Sequence, residues 1–167
     1  MPNGSLFTYN PMSKVVLRKN NEIYVLNQSN GEVLQLTSNT LEDSSPIITK
    51  DSSKVVYVEK DTSGKRDIYL INSNGTDNVK LTDDTRDNYE PMLSDDGTKI
   101  IYTSKDGAFS NIYVMNLDGT NKLNLTNQTD KINKEASTFS NKIVYVSNDE
   151  IYQTVVYPRF FLQMGQR

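Results

Sequence analysis

Four times along the chain a Lys followed by two β-branched residues is succeeded by an Ile-Tyr pair. The runs begin at Lys14, Lys54, Lys99 and Lys142, and the pairs are Ile23-Tyr24, Ile68-Tyr69, Ile112-Tyr113 and Ile151-Tyr152. The tyrosines are spaced 45, 44 and 39 residues apart. That period matches the ~40–45 residues of one β-propeller blade. A repeat unit of this size cannot bury its apolar face alone, so the pattern requires a stack of similar units.

The copy from Glu90 to Thr126 reads strand by strand. Pro91-Met92-Leu93 is a short first strand, closed by the turn Ser94-Asp95-Asp96-Gly97-Thr98. Lys99-Ile100-Ile101-Tyr102-Thr103 and Asn111-Ile112-Tyr113-Val114-Met115-Asn116 are β-branched and aromatic strands. Asp118-Gly119 makes a hairpin turn, and Leu123-Asn124-Leu125-Thr126 is the outer strand. The copy from Ser45-Pro46-Ile47-Ile48-Thr49 to Val79-Lys80-Leu81-Thr82 matches it nearly element for element. The first copy is shorter, with strands at Leu6-Phe7-Thr8-Tyr9, Val15-Val16-Leu17, Ile23-Tyr24-Val25-Leu26 and Val33 to Thr37. The last departs after Tyr152, where Val155 to Leu162 replaces the expected turn and Leu-Thr. The expectation is one all-β domain, a propeller of about four four-stranded antiparallel blades at roughly 5–37, 45–82, 90–126 and 135–164.

With 167 residues, 35% of them hydrophobic, the chain suffices for one core or one row of blade interfaces. The net charge of −3 comes from interspersed acids and bases, which disfavours nucleic acid as a partner. No apolar stretch reaches the ~20 residues that a membrane-spanning helix needs, and Met1-Pro2-Asn3-Gly4 does not open a signal region.

The string Pro91, Ser94 to Gly97, Lys99-Ile100-Ile101-Tyr102, Asn111 to Asn116, Asp118-Gly119 and Leu125-Thr126 resembles the WD40-like PD40 repeat of TolB-type β-propellers. The resemblance extends roughly from Leu6 to Tyr152. Family copies commonly carry Trp-Ser-Pro-Asp-Gly in the first turn; here Leu93 and Asp95 stand at the Trp and Pro positions. The resemblance implies a binding scaffold, typically exported to the periplasm or cell exterior, with partners docking at a propeller face. Related propellers also stand beside the catalytic domains of serine peptidases as accessory modules. Three assemblies fit four blades: a small closed ring, a piece of a larger propeller, or half of a ring completed by a second chain in a homodimer.

Candidate chemistry is sparse. With no His and no Cys, the chain offers neither a Ser-His-Asp triad nor a His or Cys zinc site. Ser94 to Thr98 has the look of a sialidase Asp-box, but its glycine comes one residue early and the closing aromatic is missing, which makes it a structural turn. Asp83, Asp84, Asp87 and Glu90 are acidic without the ligand spacing of a calcium loop, and read as a solvated connection between blades. The sequons at Asn74, Asn124 and Asn127 are expected by chance in so Asn- and Thr-rich a chain. No catalytic residue, cofactor or metal ligand is therefore expected.

Blade geometry separates two faces. The first-to-second and third-to-fourth connections, with near-identical turns such as Asn30-Gly31, Asn74-Gly75 and Asp118-Gly119, emerge on one side. The second-to-third connections (59–66 and 105–110) and the blade linkers (86–90 and 129–135) emerge on the other and vary in length, charge and aromatic content. Loops held by a rigid scaffold concentrate binding residues, so recognition of a protein, peptide or glycan is expected on the variable face. Arg66, Arg86, Tyr89 and Phe109 are its candidate partner-binding residues, since Arg and aromatics dominate binding hot spots. The repeated tyrosines Tyr24, Tyr69, Tyr113 and Tyr152 are expected to be core. The expected function is a non-enzymatic binding module, with a carboxylate-based glycosidase or lyase and an architectural accessory domain as alternatives.

Overall fold

In the computed structural model the described residues are 14–139, 142–148 and 150–155. They form fourteen strands and no helix. The first sheet holds β1 (Lys14–Lys19), β2 (Glu22–Asn27) and β3 (Val33–Gln35). The second holds β4 (Glu42–Ile48), β5 (Lys54–Lys60), β6 (Arg66–Asn72) and β7 (Val79–Lys80). The third holds β8 (Asp87–Leu93), β9 (Lys99–Asp106), β10 (Phe109–Asn116) and β11 (Leu123–Asn124), and the fourth β12 (Asn133–Phe139), β13 (Lys142–Ser147) and β14 (Glu150–Val155). Each is a meander of antiparallel neighbours in chain order, the arrangement of a propeller blade. The proposed first strand of the first blade and the segment beyond Val155 lie outside the described residues.

Successive blades pack face to face, and the sheets form an arc that is not closed into a ring. Alternation along each strand sends neighbouring side chains to opposite faces, so the second and third blades each contribute to two cores. Ile23, Val25 and Leu36 of the first blade pack with Val55, Tyr57 and Ile71 of the second. Val56, Ile68, Leu70 and Leu81 pack with Ile100, Tyr102 and Met115 of the third. Ile101, Ile112 and Val114 meet Ile143 and Tyr145 of the fourth.

The same alternation corrects one expectation. In the first three Ile-Tyr pairs the isoleucine is fully buried, while Tyr24, Tyr69 and Tyr113 are only half-buried and Tyr152 is exposed. The fully buried tyrosines are instead Tyr57 and Tyr102 of the second strands. Tyr69 stacks on Tyr57 with ring centroids 5.4 Å apart, and Tyr113 lies 5.6 Å from Tyr102. Two residues adjacent in a strand cannot share a core face, and the isoleucine takes the drier one.

The conserved-looking words of the repeat have structural causes. In Leu-Thr, the backbone N–H of Leu36, Leu81 and Leu125 donates to the carbonyl of Ile23, Ile68 and Ile112. The Oγ1 of the following Thr37, Thr82 and Thr126 accepts from the N–H of the same isoleucines, at 2.9, 2.9 and 3.2 Å. Thr82 and Thr126 pass the bond on, donating to Asp67 Oδ1 and Asn111 Oδ1 at 3.0 and 2.7 Å. In the second and third blades the Lys that opens the second strand reaches the Asn that ends the third: Lys54 Nζ donates to Asn72 Oδ1 at 2.8 Å, and Lys99 makes the same bond to Asn116, whereas Lys14 of the first blade donates to Ser73 Oγ at 2.7 Å. Thr82→Val keeps the shape but removes both hydrogen bonds of a fully buried hydroxyl. It is expected to cost about 1–3 kcal/mol in urea unfolding, and an unchanged midpoint would contradict this role.

The inner strands differ from expectation at their starts. They begin at Glu42, Asp87 and Asn133 rather than at Ser45, Pro91 and about residue 135, because each contains a bulge that lets pairing continue on both sides. The bulges sit at Ser45, Glu90 and Glu135, with φ of 50°, 53° and 54°. Pro46 and Pro91 follow the first two; lacking an N–H, they suit a position where a ladder bond is already given up.

Candidate functional site

Antiparallel order fixes which connections share a side. The 61–65 and 107–108 turns and the blade linkers lie together, opposite the Asn/Asp-Gly turns. On the uniform side the turns of the second and third blades share one hydrogen-bond pattern, and that of the first blade is one residue longer. The N–H of Gly31, Gly75 and Gly119 donates to the carbonyl of Asn27, Asn72 and Asn116, and these glycines have φ of 73–86°, a region where a Cβ would be strained. In the Ser94 to Thr98 turn, the Ser94 hydroxyl and the Thr98 N–H both donate to Asp96 Oδ1, at 2.6 and 3.0 Å. These bonds, Ser94's first, hold the Asp96 carboxyl below its ordinary range.

Three recesses lie on the variable side. One of about 370 Å³ is lined by Glu42, Ser44, Lys60, Gly64 and Arg66. A second of about 440 Å³ runs between Thr40 to Glu42 and the 60–64 turn. The third, also about 440 Å³, lies between the 63–65 turn, Thr85, Asp87 and residues 105–107. All are open and predominantly polar, with both charge signs at their rims.

The candidate residues fall into two groups on this side. Arg66 opens β6, donates through Nε and Nη2 to the two oxygens of Asp87 at 2.9 and 2.5 Å, and sits 3.9 Å from the ring centroid of Tyr89. The backbone N–H of Arg66 donates to Asp87 as well. Burial alone would raise the Asp87 carboxyl, but the Arg66 bonds outweigh it and hold the pKa low. Since Arg66 lines one recess and Asp87 another, their ion pair forms part of both walls. Arg86 lies in the linker before β8, paired with Asp84 Oδ2 at 2.9 Å and donating through Nη1 to Tyr113 Oη at 2.5 Å. Phe109 opens β10 and is exposed; it and Arg86 line none of the three recesses.

The expectation that Arg66, Tyr89 and Phe109 stand in connections is corrected. Strand pairing extends into polar residues at both ends, because the backbone ladder does not depend on apolar side chains. Arg66 also joins the second blade to the third. Arg66→Ala is expected to lower stability by about 1 kcal/mol, the scale of a half-exposed ion pair with a cation–π contact, and Phe109→Ala by less than about 0.5 kcal/mol. Equal losses in thermal melts would contradict the distinction.

One group escaped the sequence reading. The residue two positions before each inner-strand bulge, Asp43, Asn88 or Asn133, is completely buried and carries at least one oxygen with no hydrogen-bond partner. The amides use their NH₂: Asn88 donates to Asp84 Oδ1 and the Arg86 carbonyl, and Asn133 to the Ser110 carbonyl. Asp43 has no proton to give when ionised, and neither of its oxygens is partnered. Burial pushes its pKa from 3.8 up to about 6; Glu59 and Glu22 add to the rise, while the Thr37 hydroxyl and Arg18 oppose it. The signal was the 45-residue spacing of an Asp or Asn two residues before each bulge.

The family model for the TolB β-propeller domain, PD40, matches residues 12–128. No curated protein sequence matches the chain. Among solved structures, a protein assigned as TolB from Agrobacterium tumefaciens superposes with a TM-score of 0.66 and 19% identity, covering 85% of this chain and 54% of its own. A puromycin-hydrolysing peptidase of Mycobacterium tuberculosis gives 0.67 and 13%, covering 87% and 29%. The nidogen/laminin complex gives 0.61 and 15%, covering 80% and 52%. At these identities the likeness establishes the fold. The chain spans about half or less of the length of these relatives.

Proposed function

Because the chain belongs to the TolB β-propeller family, we propose that it is a non-enzymatic binding module that recognises a protein, peptide or glycan through its variable face. The observation that carries this reading is the gathering of three polar recesses on the side formed by the 61–65 turn, the 105–107 segment and the blade linkers. Arg66, Arg86, Tyr89 and Phe109 are the proposed partner-binding residues. Residues 1–167 act within one propeller domain, as a small ring, as part of a larger propeller, or as two chains completing a ring. The neighbours include a peptidase as well as a TolB, and one scaffold serves both kinds of role. The binding reading is favoured because the Asp84 and Asp87 carboxylates are occupied by Arg86 and Arg66 and the chain supplies no His or Cys.

The test is a screen of the purified chain on peptide and glycan arrays, followed by titration of any hit. Arg86→Ala with Phe109→Ala is expected to weaken a genuine ligand at least about tenfold, and Arg66→Lys, which retains charge without the bidentate fork, by several-fold. Asn74→Ala on the uniform face should leave affinity unchanged. The opposite ranking would place recognition on the turn face and overturn the proposal.

A further inference from the structure

On the variable side the second and third blades extend past the apolar repeat. Pairing between second and third strands ends at Lys19↔Glu22 in the first blade and at Ser147↔Glu150 in the fourth, but runs on to Lys60↔Arg66 in the second and Phe109↔Asp106 in the third. The added rows are charged and equivalent: Glu42 stands opposite Lys60, and Asp87 opposite Lys105. Neither lysine belongs to any of the three apolar cores, and both are exposed. The blade repeat therefore gives no reason for them.

An arginine of the preceding blade takes up each acid of these rows. Arg18 donates through Nη2 to Glu42 Oε1 at 3.0 Å, as Arg66 does to Asp87 Oδ2 at 2.5 Å. Lys60 holds the other Glu42 oxygen at 3.3 Å. Asp61 Oδ1 accepts from the N–H groups of Ser63 and Lys65 and from the Ser63 hydroxyl. Of the four acids lining the recesses, Glu42, Asp61, Asp87 and Asp106, three are engaged in this way, and Asp106 stands near the tip of its hairpin. Donors remain on the cationic side. Lys105 has no hydrogen-bond or ion-pair partner among the described residues. Arg66 commits Nε and Nη2 to Asp87 and keeps Nη1 unbonded among the described residues. Its guanidinium also lies against the Tyr89 ring, so a fixed, planar donor edge is left on the wall that it shares with Lys60.

We infer that Lys60, Arg66 and Lys105 form a carboxylate-binding track across the second and third blades, and that the ligand of the variable face is an acidic peptide in extended conformation. This rests on the proposed recognition by that face and names the class of its ligand. An extended chain sends alternate side chains to one side, so Asp or Glu at every second residue meets successive cations of the track. A uronic-acid glycan also carries carboxylates, but sugar rings dock on aromatic faces. No aromatic residue lines the three recesses, and the Tyr89 ring already carries Arg66.

Fluorescence anisotropy with a labelled, end-capped peptide of alternating Glu and Ser tests this, beside the matching Lys-Ser peptide and a labelled polyuronate fragment. The Glu-Ser peptide is expected to bind and the Lys-Ser peptide not, with affinity falling at least about tenfold between about 50 and about 300 mM salt. Lys60→Gln and Lys105→Gln are each expected to weaken binding about three- to tenfold. Both positions are exposed, so circular dichroism should be unchanged. Lys122→Gln removes the same charge on the turn face and is expected to leave affinity within about twofold. Equal losses in all three variants would show attraction by net charge alone and overturn the track. Absence of Glu-Ser binding overturns the inference, and a polyuronate that binds as tightly as the peptide overturns the ligand class. An array hit that depends on Arg86 and Phe109 but is indifferent to Lys60→Gln and Lys105→Gln would sink this inference and leave the proposed function standing. A hit lost with Asn74→Ala would sink the proposed function itself.

Discussion

Asp43→Asn is expected to stabilise the protein at pH 8 by about 3 kcal/mol and to change little at pH 4. The carboxyl is completely buried, neither oxygen has a partner, and its pKa rises from 3.8 to about 6, chiefly through burial. A carboxyl with a folded-state pKa above its unfolded value holds its proton in the native state over a pH range where the unfolded chain has lost it. Its contribution is therefore fully favourable below about pH 4 and is lost as the pH rises through about 6, where ionising the native state requires a buried, unpaired charge. Asn occupies the corresponding position in the next two blades, at Asn88 and Asn133, so the amide suits the site. Its NH₂ would have backbone and side-chain acceptors like those used by Asn88. Urea midpoints across pH 4–8 give the measurement. The wild type should lose stability over this window relative to the variant, and parallel profiles would show that Asp43 does not titrate as its surroundings imply.

The second large effect separates the two halves of an Ile-Tyr pair. Ile68 is fully buried between the second and third blades, against Leu70, Leu81 and Ile100. Ile68→Ala leaves a cavity that packed β-branched neighbours fill poorly, and a loss of about 3–4 kcal/mol is expected. Tyr69 is half-buried and stacked on Tyr57. Tyr69→Ala is expected to cost about 1–2 kcal/mol, since part of the side chain already meets solvent. Denaturant unfolding of both variants, with m-values compared to detect non-two-state behaviour, decides the order. A tyrosine loss as large as the isoleucine loss would restore the reading in which the aromatic residue is the centre of the repeat.

Lys-Val-Val, Ile-Tyr and Leu-Thr, recurring every 39–45 residues, determined the all-β class, the meander within each blade, the positions of the second and third strands and the sides on which connections emerge. All of these follow from local signals: β-branched runs, Asn/Asp-Gly turns and a period of two. The starts of the inner strands were not legible, because Glu42, Asp87 and Asn133 are polar and extend the ladder through backbone bonds that a hydropathy pattern does not register. The variable face was legible as a side of the fold. That Arg66 and Asp87 share the walls of two recesses there was not, since they belong to different blades and meet through packing.

Tertiary structure alone also decided what each repeated residue experiences. Asp43 reads as an ordinary surface acid in the sequence and becomes a buried acid only when the first two blades close over it. Ile151 reads like Ile23, Ile68 and Ile112 and differs only because no fifth blade follows among the described residues. The sequence by itself determined the unit and its repetition, because strand, turn and face preferences are properties of neighbouring residues. Burial, charge state and the open ends of the arc depend on which unit lies next in space, and that is a property of the assembled stack.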